Sequence, residues 1–407
     1  MTEKKRQLIF HWTYREWGGA QIYFIGIMKM ARAEWDILVV IPRDSSPEIV
    51  KFLDETGVKY EFIDTHLDLD PAPTLRRKLT RHWKRIHSEI ASYRFLRRFN
   101  LSECILHIEI GPWISWMFLT ALSLRGANVF VTLHNAMPNF PVWRVVLWKM
   151  RMQFVSRLPG FHIFTSNKHT KNSFQGWVEP KFWENIRVTY TTANPSDIDE
   201  ALKSSFDRDA ARRELNIGDQ QFVVLCVGQF IDRKGRWVFL EAAKLALQKD
   251  PDLQFVWVSP ALPSPDETKQ IAEYELGDSF RLVLSSSIGP TRHDILSFFR
   301  IADVFALPSF VEGLPVALLE AMAMGIPSIS TNITAIPEAI IDGETGILIE
   351  AGDSAALADR VLTLKADPEL RQRLSVAGRA LVLNHFDERE ASRIAIKAYK
   401  ECFADAG

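Results

Sequence analysis

Short runs rich in Val, Ile, Leu and Phe recur along the first half of the chain, at 8–12, 37–41, 60–63, 105–108, 129–132, 162–165 and 186–190. Longer amphipathic stretches separate them, among them 22–31 and 47–56, where apolar positions fall three and four apart. That alternation predicts strands and helices taking turns in a doubly wound parallel sheet. The segment 191–218 is polar and holds no long apolar run, so it reads as a linker. Strand-like runs then resume at 222–227, 254–258, 280–284, 304–307, 328–331 and 346–349, and helices at 354–365, 368–383 and 388–403 end the chain. The pattern predicts an α/β protein of two Rossmann-like domains, 1–190 and 219–387, facing each other across a cleft. The most apolar long window, 105–124, is broken by His107, Glu109, Gly111 and Pro112. It reads as strand, loop and buried helix, not as a membrane span.

One stretch concentrates the chemistry. After the run 304–307, Glu312, Gly313, Leu314 and Pro315 form a turn, and 316–324 follows as an apolar helix of good helix formers that Gly325 and Pro327 stop. Seven residues separate Glu312 in the loop from Glu320 inside the helix. In an open parallel sheet such loops line the crevice where ligands bind. The amides of Gly313, Leu314 and Val316 suit a phosphate there, while Pro315 has none to offer. A glutamate before a helix also serves as a plain cap, and one within a helix usually meets water. Glu320, however, sits among apolar residues, where a buried carboxylate needs hydrogen-bond donors such as sugar hydroxyls.

Other turns add groups. The run 222–227 leads into Gly228, Gln229, Arg233, Lys234 and Gly235; adjacent cations at a glycine turn suit a diphosphate, or simply solvate the surface. Gly18 and Gly19 follow the first strand and allow a loop to close over a ligand, or only a turn. His134 ends the run 129–132, where an imidazole can bond a sugar hydroxyl, carry a proton or serve the fold. In 75–99, Leu75, Leu79, Trp83, Ile86, Ile90 and Tyr93 mark one helical face. The opposite face carries nine Lys and Arg, among them Arg76, Arg77, Lys78, Arg81, Lys84 and Arg85, against Glu89 alone. The stretch 141–157 adds Trp143, Trp148, Phe154 and four cations. Such segments lie on anionic membranes, or dock on their own domain with a solvated basic rim.

The order of Glu312, Gly313, the apolar run, the Glu-Ala-Met-Ala of 320–323 and the closing Gly-x-Pro resembles the signature of the retaining glycosyltransferases of family 4 (glycosyl transferases group 1), which have the GT-B fold. The resemblance implies transfer of a sugar, with retained configuration, from a nucleotide-sugar donor to a glycan or lipid-linked acceptor in polysaccharide or glycolipid synthesis, UDP being the family's commoner carrier. It implies ribose hydroxyls on Glu320, the diphosphate between Arg233, Lys234 and the amides after Glu312, and the donor sugar against Glu312 and His134. Gly18 and Gly19 would lie near the leaving diphosphate, and the last helix, 388–403, would return to the first domain. Two positions depart from the pattern: Gln229 stands where the family has Arg, and Gln21 where an acidic residue is usual. The family's chemistry is expected to need no metal and no cofactor.

Composition narrows the partners. The 407 residues are 47% hydrophobic and 24% charged, in the range of globular domains. Residues 1–200 hold 27 Lys and Arg against 20 Asp and Glu, and the remainder 22 against 30. A basic first half fits an anionic surface, and the acidic second half opposes nucleic acid. Cys104, Cys226 and Cys402 have neither metal nor disulfide spacing, which fits a reducing cytoplasm, with peripheral contact at the inner membrane face. The N-terminus lacks the apolar core of a signal peptide. Neither half has Gly-x-Gly-x-x-Gly after its first strand, which argues against an NAD enzyme. A nucleotide-sugar epimerase on the same fold and a non-catalytic nucleotide-sugar-binding or membrane-docking protein are the other readings.

Overall fold

The apolar runs form short strands, the central ones buried on both faces, as parallel strands under two helical layers must be, and the edge strands at Lys59–Ile63 and Arg187–Val188 only half-buried. A computed structural model describes residues 5–15, 18–65, 74–137, 140–289 and 291–404. The chain divides into two units, 1–190 with 389–407, and 191–388.

The first unit is one parallel sheet of β1 (Arg6–His11), β2 (Trp35–Pro42), β3 (Lys59–Ile63), β4 (Cys104–Ile108), β5 (Asn128–Leu133), β6 (Phe161–Thr165) and β7 (Arg187–Val188), in the order β3-β2-β1-β4-β5-β6-β7. The order reverses at β1, whose end, His11, pairs in register with Ile108 of β4. Ligands of open α/β sheets bind beyond the carboxyl ends of strands at such a reversal. One face of the sheet is packed through Ile9, Leu106, Val131 and Ile163, the other through Leu8, Phe10, Phe130 and Phe164. The C-terminal helix, Glu388–Glu401, covers the second face with Ala395, Ala398 and Tyr399. The Tyr399 hydroxyl meets His107 Nδ1 at 2.6 Å and His107 Nε2 meets Thr132 Oγ1 at 2.8 Å, so these buried polar groups satisfy one another.

The second unit repeats the plan with β8 (Phe222–Val227), β9 (Leu253–Ser259), β10 (Phe280–Leu284), β11 (Val304–Leu307), β12 (Ser328–Thr331) and β13 (Ile347–Ile349), in the order β10-β9-β8-β11-β12-β13. Its reversal lies at β8, which pairs with β9 and β11.

The segment 191–218 departs from the linker reading. It forms two helices, Pro195–Lys203 and Arg208–Glu214, and belongs to the second unit. Each has a side-chain cap, Asn194 and Asp207, but buries too little to show as an apolar run: Ile198 and Ala201 in one, the stem of Arg212 in the other. Arg212 bonds the carbonyl of Ile301 and pairs with Asp303 at 2.7 Å, so the anchor here is a cation.

One backbone approach fixes the second unit's reversal. Gly235, at φ 75°, lies so close to Pro308 that an added Cβ would stand 1.9 Å from that residue's carbonyl oxygen. This brings the turn after β8 against the end of β11, and Phe310 N bonds Arg233 O at 2.8 Å across the junction. Gly57 has a similar φ, 63°, with open space around it. Gly57→Ala is expected to lower stability by roughly 1–2 kcal/mol, the cost of left-handed backbone. Gly235→Ala should lose clearly more, read as the fall in unfolding midpoint; equal losses would mean that the close approach is relaxed at no cost.

Candidate active site

Lys234 and Glu312 meet at the second unit's reversal. Lys234 Nζ lies 2.7 Å from Glu312 Oε1, with both side chains largely buried. Ser309 Oγ donates to the same oxygen at 2.8 Å, and Arg233 stands 3.5 Å from Oε2. Arg233 is half-exposed and also donates to the carbonyl of Val311 at 3.0 Å. The stem of Lys234 runs over Gly228, where an added Cβ would come within 3.5 Å of it. Gln229 sits half-buried in the same turn and carries no charge into it.

The backbone around Glu312 is pinned as well. Thr334 Oγ1 donates to the Glu312 carbonyl at 2.6 Å, and Thr334 itself holds φ 45°, a rare conformation for a β-branched residue. Past Gly313, buried Leu314 and Pro315, the helix Val316–Ala323 starts without a side-chain cap. Leu319 donates the first backbone bond, to Pro315. The amides of the first turn, Val316 included, therefore point outward from the helix without an intrahelical acceptor. A carboxylate, two cations and a helix N-terminus converge here, an arrangement suited to an anionic group beside a hydrogen-bond acceptor.

Glu320 is buried in that helix, but its donor is a protein cation. Arg292 pairs with Glu320 Oε1 and stands 3.9 Å from Asp197. Burial pushes the Glu320 carboxyl up, and Arg292 draws it back down. A buried carboxylate needs such a countercharge; Arg292 lies in no motif, so the sequence did not announce it. Ser309 and Thr334 were equally silent. Asp-x-Asp spacings occur at 68 and 70, which lie outside the described residues, and at Asp197 and Asp199, Asp207 and Asp209, and Asp250 and Asp252. Asp197 and Asp199 stand by Arg292 and Arg379, Asp207 caps a helix and Asp250 holds Lys365 at 2.6 Å.

In the first unit, Gly18 precedes the helix Gly19–Ala31 in extended backbone, and neither glycine has a positive φ. A Cβ on Gly18 would meet only Gln21 Oε1, at 3.6 Å, so the local fold does not demand glycine there. Residues 16–17, the rest of that loop, lie outside the described residues. His134 follows β5, its ring set edge-on to Tyr23 at 5.3 Å, with Nε2 enclosed and unpartnered. Burial holds its pKa at about 4, so the ring is neutral and fit to share hydrogen bonds, not to act as a cation.

The basic helix, Leu75–Leu96, turns the first part of its apolar stripe outward, while Ile86 is half-buried and Tyr93 packs against the core of the first unit. Leu75 is 73%, Leu79 55% and Trp83 70% exposed, while Ser88, Ser92 and Leu96 face the unit. Ser92 Oγ meets His11 Nε2 at 3.0 Å. Arg76, Arg77, Lys78, Arg81 and Lys84 flank the exposed stripe. Arg85 differs: it is half-buried, 3.6 Å from Glu89, because its position in the helix turns toward the unit. The helix Val142–Val155 likewise exposes Val142, Trp143, Val146 and Met150, and Arg144 stacks on Phe140, Trp143 and Trp148. No helix among the described residues is long and apolar enough to cross a membrane.

Residues 207–381, which contain Arg233, Lys234, Arg292, Glu312 and Glu320, match the family model of the glycosyl transferases group 1. That segment belongs to the group 1 family. A D-inositol 3-phosphate glycosyltransferase of Corynebacterium glutamicum is 34% identical over 169 residues, 40% of this chain and 40% of the relative. A GDP-mannose-dependent phosphatidylinositol monomannoside mannosyltransferase of Mycolicibacterium smegmatis is 30% identical over 202 residues, 47% of this chain and 51% of the relative. The chain thus spans about half or less of the curated relatives it matches. Among solved structures, Anabaena Alr3699/HepE in complex with UDP superposes with a TM-score of 0.76, 17% identity, and coverage of 97% of this chain and all of that one. The two-unit architecture is the GT-B fold of the glycosyltransferases.

Burial sets a pH dependence on the first unit. His11, His134 and His162 are held at about 4 and His107 at about 3, against 6.5 in an unfolded chain. Neutral in the folded state, they contribute fully above 6.5, and their contribution is lost as pH falls from there toward 4. Glu109, raised to about 8 by burial, and Glu89, also raised by burial, run the other way, two groups against four. The denaturation midpoint of the first unit is therefore expected to fall between pH 7 and pH 5; a midpoint that holds or rises would contradict the burial of these rings.

Proposed function

We propose that the chain is a retaining glycosyltransferase that moves a sugar from a nucleotide-sugar donor, a UDP-sugar, to a glycan or lipid-linked acceptor in cell-surface polysaccharide or glycolipid synthesis. The observation that carries the reading is the meeting of Lys234 and Glu312 at a sheet reversal, inside the segment that matches the family. In this reading the donor's diphosphate takes Lys234, Arg233 and the amides of Gly313, Leu314 and Val316. Glu312, released from the lysine, turns to the donor sugar, and neutral His134 of the first unit is assigned a hydrogen bond to a sugar hydroxyl. Glu320, held by Arg292 through one oxygen, offers its other oxygen to the ribose. Negative charge develops on the leaving diphosphate, so cations and amides fixed there before reaction lower the barrier. The reading assigns no metal and no cofactor. The space above Gly18, which the fold does not require to be empty of a Cβ, is assigned with Gly19 to a ligand's close approach.

We further assign the exposed stripes of Leu75–Leu96 and Val142–Val155 to the anionic inner face of a cytoplasmic membrane. Support comes from exposure: large apolar side chains flanked by arginines stand in water on both helices. A helix docked on its own domain would bury that stripe instead.

Three experiments test these assignments. In Lys234→Ala, UDP-sugar affinity is expected to fall ~10–100-fold, the loss of one charge-assisted bond of roughly 1.5–3 kcal/mol; unchanged affinity removes the diphosphate assignment. Glu312→Ala should retain nucleotide binding and lose turnover, and full turnover would dismiss Glu312 from the reaction. For the membrane, replacing Arg76, Arg77, Lys78 and Arg81 by Gln should weaken binding to phosphatidylserine vesicles by about 4 kcal/mol, roughly a thousandfold, at ~1 kcal/mol per cation. Binding equal to wild type would leave the helix as scaffold.

A further inference from the structure

The two units differ in how far their buried polar groups are satisfied. In the second unit, Gln254 Oε1 alone is a buried side-chain atom without a hydrogen-bond partner among the described residues. In the first unit such atoms are spread from Trp35 at the start of β2 to Ser392 on the last helix, but several lie at the carboxyl edge of the sheet, at or just after the ends of β1, β3, β4 and β5. Glu109 is the extreme case. It follows β4, is 3% exposed, and neither carboxyl oxygen has a partner. Its neighbour across the reversal, His11 at the end of β1, is 2% exposed and uses Nε2 on Ser92 while Nδ1 is unpartnered. The backbone holds the two together: Glu109 N donates to His11 O at 3.1 Å, and Thr13 Oγ1 donates to Glu109 O at 2.6 Å. Gln21 Nε2 and Thr65 Oγ1 are further unpartnered atoms at the same edge.

We propose that this edge, centred on Glu109 and His11, recognises uncharged hydroxyls of the sugar acceptor. The proposal rests on the glycosyl-transfer reading above and adds the residues and chemistry of the acceptor's site. A buried carboxyl whose two oxygens make no hydrogen bond is costly to keep for the fold alone. Burial pushes this one up to about 8, so at neutral pH it is mostly un-ionised. An un-ionised carboxyl donates through its O–H and accepts through its carbonyl, which is what a hydroxyl does in return. An acceptor amine would need the ionised form, and a phosphate would need cations. A tyrosine, Tyr14, also stands near, its own hydroxyl pushed up to about 12 by burial and then by Glu109.

The test uses the full chain and three proteins: wild type, Glu109→Gln and Glu109→Leu. Saturation-transfer NMR is run with methyl α-glucoside, methyl α-galactoside, N-acetylglucosamine and glucosamine, with and without UDP, and UDP affinity is measured separately. At least one uncharged sugar is expected to bind wild type. Glu109→Gln, which still donates and accepts, should hold that affinity within about threefold, while Glu109→Leu should lose tenfold or more, the effect of an unmade buried hydrogen bond. UDP affinity should be the same in all three, and Glu109→Leu should melt no lower than wild type. Sugar binding by Glu109→Leu at wild-type strength overturns the proposal, as does a wild type that binds no uncharged sugar. Binding of glucosamine alone, lost in Glu109→Gln, also overturns it in favour of an ionised carboxylate. Failure of UDP to bind wild type removes the donor reading instead, and the sugar arm without UDP still decides the role of Glu109.

Discussion

Lys234 and Glu312 are 78 positions apart in the chain, and what joins them is sheet order. Because β8 lies between β9 and β11, the turns that leave β8 and β11 emerge side by side. The absence of a side chain at Gly235 then lets one turn press against Pro308 at the end of the other strand. From that contact the rest follows: the lysine reaches the glutamate, Ser309 and Arg233 complete its surroundings, and the helix from Val316 opens beside them. The pair is a stored state. An anionic ligand that takes Lys234 must draw it from Glu312, and a glutamate so released is free to serve another group.

The two units use buried polarity differently. The second closes its site on itself, with Lys234 on Glu312 and Arg292 on Glu320. The first satisfies its interior, through His107, Thr132 and Tyr399, but leaves polar atoms unmatched along one edge. Satisfied networks rigidify a core, whereas unmatched buried groups persist where something else meets them. The outward apolar stripe of Leu75–Leu96 stands on the surface beside an inward side of Ser88, Ser92 and Leu96, of which Ser92 meets His11.

Much of this was legible in the sequence, for a physical reason. Central strands buried on both faces must be apolar runs, and the half-buried edge strands are short apolar runs too, so the thirteen strands among the described residues left a mark, and the helix from Val316 was bounded by Pro315 and Gly325. The turn residues Lys234 and Glu312 were legible because strand-end loops carry ligands. What was hidden lay in single long-range partners. Arg292 and Ser309 have no local pattern, and the helices of 191–218 are anchored by Arg212, which reads as a surface residue until Asp303 is found beside it. The stripe of Leu75, Leu79 and Trp83 was visible, but periodicity does not say which side of a helix faces the protein. Glu109 appeared in the sequence only as an interruption of an apolar window; its isolation is a three-dimensional fact.

The central claim is that Lys234 and Glu312 act as one switchable pair, and a double-mutant cycle on nucleotide affinity tests it most directly. UDP is titrated by calorimetry into wild type, Lys234→Met, Glu312→Gln and the double variant. Binding by Glu312→Gln is expected to be tighter than wild type, because the lysine is already free. Loss of the lysine should cost more affinity with Glu312 present than with Gln in its place, since an uncompensated carboxylate would face the phosphates. Additive effects of the two substitutions, or four equal affinities, would contradict the account.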